Sequence, residues 1–392
     1  MTAVFREEAG RLTAALVRML GDFDLAEELV QESLLEAIEH WPKEGIPEKP
    51  GAWLLTTARR KAVDQLRRQA RFRDKLAQLE GAVMRDDTAE GDDRLRLIFT
   101  CCHPALSREA QVALTLRAVA GLTTMEIARA FITNEATIAQ RIVRAKRKIV
   151  DANIPYRLPA ERDLAERMDE VLAVLYLMFN EGYLATAGEQ ATRRDLAEDA
   201  AWLAGLMVRL MPDEPEALGL LALMRLHLAR ARARFDDAGN LILLQEQDRG
   251  RWDQERIASA MVLLQRAATL HRSGPYQLQA AIAACHAEAR TWRETDWKQI
   301  VALYDALLGL MPSPVVELNR AIARRYRDGA SAALDDADRL AEFLDGYYLF
   351  HATRAELLRD LGRETEARAA VVRALELTTN PAERALLQKR LS

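Results

Sequence analysis

Apolar residues recur at three- and four-residue spacing along almost the whole 392-residue chain, and alternating valine- or threonine-rich runs are nearly absent. A period near 3.6 gathers such residues on one face of a helix, whereas a half-buried strand needs a period of 2. The chain is therefore expected to be all-α. Hydrophobic residues make up 49% and charged residues 29%, the balance of a chain that builds cores and coats them. No apolar run reaches the length of about 18 residues that a membrane span needs. The opening MTAVFREEAG carries no apolar export segment. Cys101, Cys102 and Cys285 are too few for a disulfide framework, so reduced thiols and a cytoplasmic location are expected.

Breaks in the pattern divide the chain. Residues 1–74 read as three helices, and 75–106 as a linker that turns acidic around Asp86, Asp87, Glu90, Asp92 and Asp93. Residues 107–152 read as a compact helical unit ending in a basic helix, closed by the prolines of NIPYRLP at 153–159. The remainder, 161–392, looks repetitive. Pro212, Pro275, Pro312 and Pro381 separate helices at spacings of 63, 37 and 69 residues, near one or two units of about 34. Within AELLRDLGRETEARAAVVRAL, Ala355, Gly362, Ala367 and Ala374 stand where two helices approach, with Leu358 and Val371 in the seam. That unit resembles a tetratricopeptide repeat, although His351 and Glu364 stand where aromatics are usual; a generic helical bundle is the alternative. The segment 231–253 reads as a long loop or small hairpin, and its Asp236, Asp237 and Asn240 lack the rest of a calcium-loop signature.

Two helices carry an unusual charge distribution. In the first section a helix is expected from Asp24-Leu-Ala-Glu27, a capping-box-like start. Leu25, Leu29, Val30, Leu34, Ala37 and Ile38 would face inward, leaving Glu27, Glu28, Gln31 and Glu32 wet. After the proline-stiffened loop WPKEGIPEKPGAW, a third helix buries Leu55, Ala58, Ala62 and Leu66. Its other face presents Thr57, Arg60, Lys61, Arg67, Arg68 and Arg71, opposed only by Asp64. Cations so concentrated repel one another unless a polyanion neutralises them, and phosphate contact is the economical explanation.

The unit 107–152 repeats the theme. Ser107 opens a helix that ends near Gly121, Thr123-Thr-Met-Glu126 forms a capping box, and a break at Ile132-Thr-Asn134 precedes a long helix. There Ile138, Ile142, Ala145 and Ile149 form an apolar stripe, and Thr137, Arg141, Arg144 and Lys148 a polar, mostly cationic one. A short capped helix followed by such a helix is the helix-turn-helix arrangement for the major groove. Glu135, Thr137, Ala139, Gln140, Arg141 and Arg144 are the base-side candidates, and Lys146, Arg147 and Lys148 the backbone clamps.

DLAEELVQES followed by GAWLLTTARRKAVDQLRRQ closely resembles region 2 of the extracytoplasmic function (ECF) class of the sigma-70 family, and 107–149 resembles its region 4. The latter departs from the family in having Ile132 where the turn usually has glycine, and Ala139-Gln140 where Lys-Ser is usual. The resemblance implies a promoter-specificity subunit of RNA polymerase, with core enzyme and promoter DNA as partners. It implies polymerase docking by Asp24, Glu27, Glu28, Leu29, Gln31 and Glu32. A base flipped from the −10 element would be captured by the loop 42–52, with Trp53, Thr57, Arg60, Lys61, Asp64, Arg67 and Arg68 along the non-template strand. A core tryptophan is the alternative for Trp53. The helix-turn-helix would read the −35 element. No covalent chemistry is asked of such a chain, and none of its usual signatures is visible, so neither enzyme activity nor a cofactor is expected. Cys101-Cys102-His103 offers no metal-ligand spacing, and no metal is expected. A subgroup of the class carries a tetratricopeptide extension, and YLMFNEGY resembles its opening helix. By implication 161–392 regulates activity, by packing on the DNA-binding units or by receiving a protein partner. Tyr176, Phe179, Asn180, Glu181 and Tyr183 are the candidate contacts between domains, or else repeat-core residues. A DNA-binding repressor and a repeat-protein adaptor are the rival readings.

Overall fold

Long amphipathic segments separated by caps and prolines fold into helices throughout a computed structural model, which describes residues 2–68, 93–131, 133–183, 190–236, 240–378 and 380–391. Among the described residues the extended structure is a single antiparallel bridge, Phe235 to Leu241. The chain divides into two compact units, Met1–Met178 and Phe179–Ser392.

The first unit begins with α1 (Thr2–Leu20), α2 (Phe23–Glu44) and α3 (Pro50–Arg68). The cap of α2 is Asp22, whose carboxylate accepts from the amides of Asp24 and Leu25, two residues earlier than the sequence placed the start. The buried stripe of α2 is Phe23, Ala26, Leu29, Val30, Ser33, Ala37 and Trp41. Of the expected inward residues Leu29, Val30 and Ala37 are buried and Leu25 and Leu34 half-buried, while Ile38 is exposed because Phe23 and Trp41 complete the buried face instead. On α3 the fully buried leucine is Leu54 rather than Leu55, followed by Ala58 and Ala62. Then come α4 (Asp93–Cys101), α5 (Arg108–Ala118), α6 (Thr124–Ala130), α7 (Glu135–Asp151) and α8 (Glu161–Tyr183). The acidic residues 86–92 lie outside the described residues. The end of the expected linker, however, is the helix α4, because Leu95, Leu97, Ile98 and Phe99 are too apolar to leave wet and are buried. The division between the units falls within α8, after Met178. The N-terminal part of α8 holds to the first unit through an Arg167 hydrogen bond to the Phe99 carbonyl and an Arg108–Glu170 ion pair of 2.7 Å.

The second unit is a succession of packed helices: α9 (Gln190–Leu210), α10 (Pro215–Ala229), α11 (Gln254–Thr269), α12 (Pro275–Glu288), α13 (Trp297–Leu310), α14 (Pro314–Asp328), α15 (Ala330–Asp338), α16 (Ala341–Leu344), α17 (Tyr348–Asp360), α18 (Glu364–Leu377) and α19 (Pro381–Gln388). Pro275 and Pro381 open helices, but Pro212 and Pro312 sit in the preceding turns and Pro215 and Pro314 take the first helical position, where the missing amide costs nothing. Helix α10 is apolar on all sides, and Leu218, Leu220, Ala222 and Met224 are wholly buried, so it is the core of its layer. Its Glu216 carboxylate accepts from the Tyr276 and Gln277 amides at 2.8 and 3.1 Å, satisfying the open N-terminus of α12. Gly219 lets the two helices touch: a Cβ there would stand 2.7 Å from the Gln277 nitrogen. In α17 and α18, Ala355, Ala367 and Ala374 are wholly buried with Leu358 and Val371, as the small-residue pattern predicts. Gly362 serves differently, with φ +71° in the turn and open space around it. Within 231–253 the Phe235–Leu241 bridge is reinforced by the Ile242 amide on the Arg234 carbonyl at 2.8 Å, with a 3-10 turn before it (Ala231–Ala233) and two after it (Leu244–Glu246 and Arg249–Arg251).

Candidate nucleic-acid interface

The helix-turn-helix is built by local capping. The Thr123 amide donates to Glu126 at 2.7 Å while the Glu126 amide donates back to the Thr123 hydroxyl at 3.2 Å, so α6 starts where the sequence predicts. Asn134 caps α7 by accepting from the Thr137 amide at 2.7 Å and the Thr137 hydroxyl at 2.8 Å. The Glu135 carboxylate ties α7 back to α6 by accepting from the Thr124 hydroxyl at 2.6 Å. Ile138, Ile142, Ala145 and Ile149 are all buried, as their spacing requires. That burial fixes the opposite face. Gln140, Arg144, Arg147 and Lys148 are exposed, and Thr137, Ala139 and Arg141 are half-buried. Arg144 is steadied by Gln140 at 3.2 Å. Ser107, Thr137, Gln140, Arg141, Arg144 and Lys148 line, with Leu106 and Ala110, one cavity of about 390 Å³ beside the N-terminus of α5. Cationic groups around a helix N-terminus favour an anion there.

Lys146 is the exception. It is only 8% exposed, and its ammonium lies 2.7 Å from Asp24 and 3.1 Å from Glu27, so it does not join the cationic face. The sequence held the signal: Lys146 follows Ile142 by four residues and precedes Ile149 by three, at the edge of the buried stripe. Arg117 of α5, which sequence reasoning did not single out, completes the cluster with its Nε 3.2 Å from Glu27.

On α2 and α3 the proposed contacts divide. Asp24, Glu28 and Gln31 are exposed; Glu27 and Glu32 are half-buried. Leu29 is wholly buried and can hold the helix but not touch a partner. Lys61 folds back onto α2, 3.1 Å from Glu36 and 3.4 Å from Glu32, and the Glu36 hydrogen bond raises its pKa. Arg60 and Asp64 are exposed and Thr57 is half-buried. The Arg67 and Arg68 side chains and all of Arg71 lie outside what is described. Trp53 is half-buried, edge-on to the buried Trp41 at 5.6 Å. His40 lies against the same ring at 6.4 Å, so Trp53 packs in part between α2 and α3. The loop beneath it is shorter than expected: 41–44 belong to α2 and 50–53 to α3, with Gly45 at φ +88° making the turn.

Cys101 and Cys102 are wholly buried, and burial pushes both thiols up, Cys102 to about 11. Among the described residues no three His, Cys, Asp or Glu side chains are placed to hold a metal ion, and no helix is long and apolar enough to cross a membrane. In the second unit Phe179 and Tyr183 are internal: Phe179 is wholly buried and stacks on Tyr183 at 5.4 Å, and Arg234 lies 4.0 Å over the Tyr183 ring. They are core residues of their own unit. Asn180 is half-buried, as are Tyr176 and Glu181. Trp292 and Tyr326 line an apolar groove of about 290 Å³ with Leu241, Leu244, Leu349 and Leu387.

Three family descriptions match the chain: sigma-70 region 2 over residues 4–72, sigma-70 region 4 over 96–149, and the DUF6596 family of unknown function over 167–268. An uncharacterized protein of Rhizobium meliloti is 45% identical over 389 residues, covering 96% of this chain and 92% of its own length. The ECF RNA polymerase sigma factor SigK of Mycobacterium ulcerans is 31% identical over 157 residues, 36% of this chain and 81% of its own. The ECF RNA polymerase sigma factor SigL of Mycobacterium tuberculosis is 32% identical over 153 residues, 38% of this chain and 86% of its own.

Proposed function

The chain belongs to the ECF RNA polymerase sigma factors, whose two hallmark domains it carries as a non-catalytic specificity subunit, and from that premise we propose that it directs core polymerase to particular promoters under control of its C-terminal unit. Residues 1–74 dock on the core enzyme and hold the −10 element, 75–106 connect, 107–152 read the −35 element, and 161–392 regulate. The observation that carries the DNA half is the exposed face of α7, where Arg144, Arg147 and Lys148 stand opposite a fully buried apolar stripe. Gln140 and Arg144 point a bidentate-capable pair at bases, and Arg147 and Lys148 reach phosphates. On α3, Arg60 meets phosphate and the open side of Trp53 offers a stacking surface to an unpaired base. Promoter opening then needs no bond chemistry: captured bases and phosphates offset stacking losses of about 1.4 kcal/mol per step.

The regulatory reading of 161–392 is supported by its succession of packed helices, which we read as tetratricopeptide-like from the sequence pattern, and by the apolar groove beside Trp292 and Tyr326. Run-off transcription with core polymerase tests both halves, comparing the full chain with a chain ending after Met178, where the first unit ends. The full chain yields a promoter-specific transcript and the shortened chain changes its amount in either direction. Equal transcript from both removes the regulatory role, and none from either removes the sigma reading.

A further inference from the structure

The same carboxylates that the proposed function gives to polymerase are already occupied inside the first unit. Glu27 lies between two cations of the helix-turn-helix unit, Arg117 at 3.2 Å and Lys146 at 3.1 Å, and Lys146 also reaches Asp24 at 2.7 Å. The second arm of Arg117 donates to the Leu122 carbonyl at 3.1 Å, which fixes it in place. Two carboxylates meet two cations, so the formal charges of the cluster balance. The surrounding seam is made of small residues. Gly10 of α1 rests against the turn after α5, where an added Cβ would stand 2.2 Å from the Val119 carbonyl oxygen, and a Cβ added at Gly121 of that turn would stand 3.4 Å from the Ala9 Cβ.

We infer that this cluster is a latch: in the free chain α5 and α7 hold the acidic start of α2, and core polymerase must displace Lys146 and Arg117 to dock there. The inference rests on the proposed function for what docks on Asp24 and Glu27. Its physical basis is competition. A carboxylate whose two oxygens each face a cation gains little from an additional one, so an incoming basic surface binds only to the fraction of molecules whose latch is open. Apparent affinity falls by that fraction. The latch also accounts for a lysine on a DNA-reading helix that turns away from solvent. A permanent structural glue has less need of it, since replacing a buried ion pair by apolar side chains of similar volume is often neutral or stabilising. The 81% exposure of the Asp24 side chain leaves one arm of the cluster open to salt and to a competitor.

The test is equilibrium binding of the labelled full-length chain to core polymerase without DNA, for the wild type, Lys146→Gln and Gly10→Ala. The first variant removes a latch cation and keeps most of its stem. The second wedges α1 from the Val119 turn without touching any charge. Both are expected to bind core more tightly, by about fivefold or more, the lower end of ordinary coupling between sites. Circular dichroism at the binding temperature establishes that each variant is folded. Lys146→Gln binding core no more tightly than the wild type overturns the latch, while a core enzyme that binds none of the three overturns the functional reading itself.

Discussion

Replacing Arg144 and Arg147 together by alanine isolates what the exposed face of α7 does. Neither side chain supports the fold: Arg144 contacts Gln140 at 3.2 Å, and Arg147 pairs with Asp151 at 3.6 Å with the two side chains 81% and 63% exposed. Ion pairs that wet contribute little to stability, so the melting temperature is expected to stay within a degree or two. The effect on DNA follows from counterion release, about 0.9 of logarithmic salt slope per phosphate contact. Two lost contacts lower the slope by about 1.8. Between 50 and 200 mM salt the wild type therefore loses about tenfold more affinity than the variant does. The assay is binding of the chain–core complex to a duplex carrying the −35 element, titrated across that range. An unaltered slope in the double variant refutes the assignment of the exposed α7 face to DNA.

Other perturbations probe the frame that holds these faces. Burial beside Phe179 and Tyr183, with Arg230 and Arg234 nearby, pulls His227 down to about 3, and burial with Arg230 and Arg249 pulls His286 down to about 4. Both folded-state values lie below the unfolded 6.5, so their stability is present above pH 6.5 and lost as pH falls toward 4; the melting curve of the second unit shifts down over that window, and His227→Phe reduces the shift. Cys102 and Cys285 are each raised from 9.0 to about 11, so native protein at pH 8 leaves a thiol reagent unconsumed while urea releases three equivalents; the raised thiols hold stability below pH 9 that is lost as pH climbs toward 11. Gly219→Ala forces α10 and α12 apart at the Gln277 backbone and costs about 1–3 kcal/mol of stability, read by thermal denaturation.

Much of this architecture is legible in the residues. The buried stripe of α7 and the caps at Ser107, Thr123 and Asn134 follow from spacing and side-chain chemistry alone, because they are decided within one or two turns. The inward face of α2 does not. Leu25, Leu34, Leu35 and Ile38 permit more than one rotation, and the buried face is completed by Phe23, Ser33 and Trp41, the last packed edge-on to Trp53 of α3. The same holds for Lys146 and Lys61, whose charge suggested a nucleic-acid contact and whose pairing with Asp24 and Glu27, and with Glu32 and Glu36, turns them onto α2 instead. Phe179 and Tyr183 stand where a junction was expected, yet they fill the core of their own unit with His227 and Arg234. No local pattern specifies that partner, which lies some fifty residues away in the chain.

The most direct measurement is a footprint on a promoter fragment with core polymerase, the full chain, or both, combined with permanganate probing for unpaired thymines. With both present, the −35 region is protected and thymines in the −10 region become reactive. Either component alone gives neither signal. Protection by the chain alone, or protection with core and no unpaired thymine, contradicts a polypeptide that grips two stretches of one duplex on behalf of the polymerase.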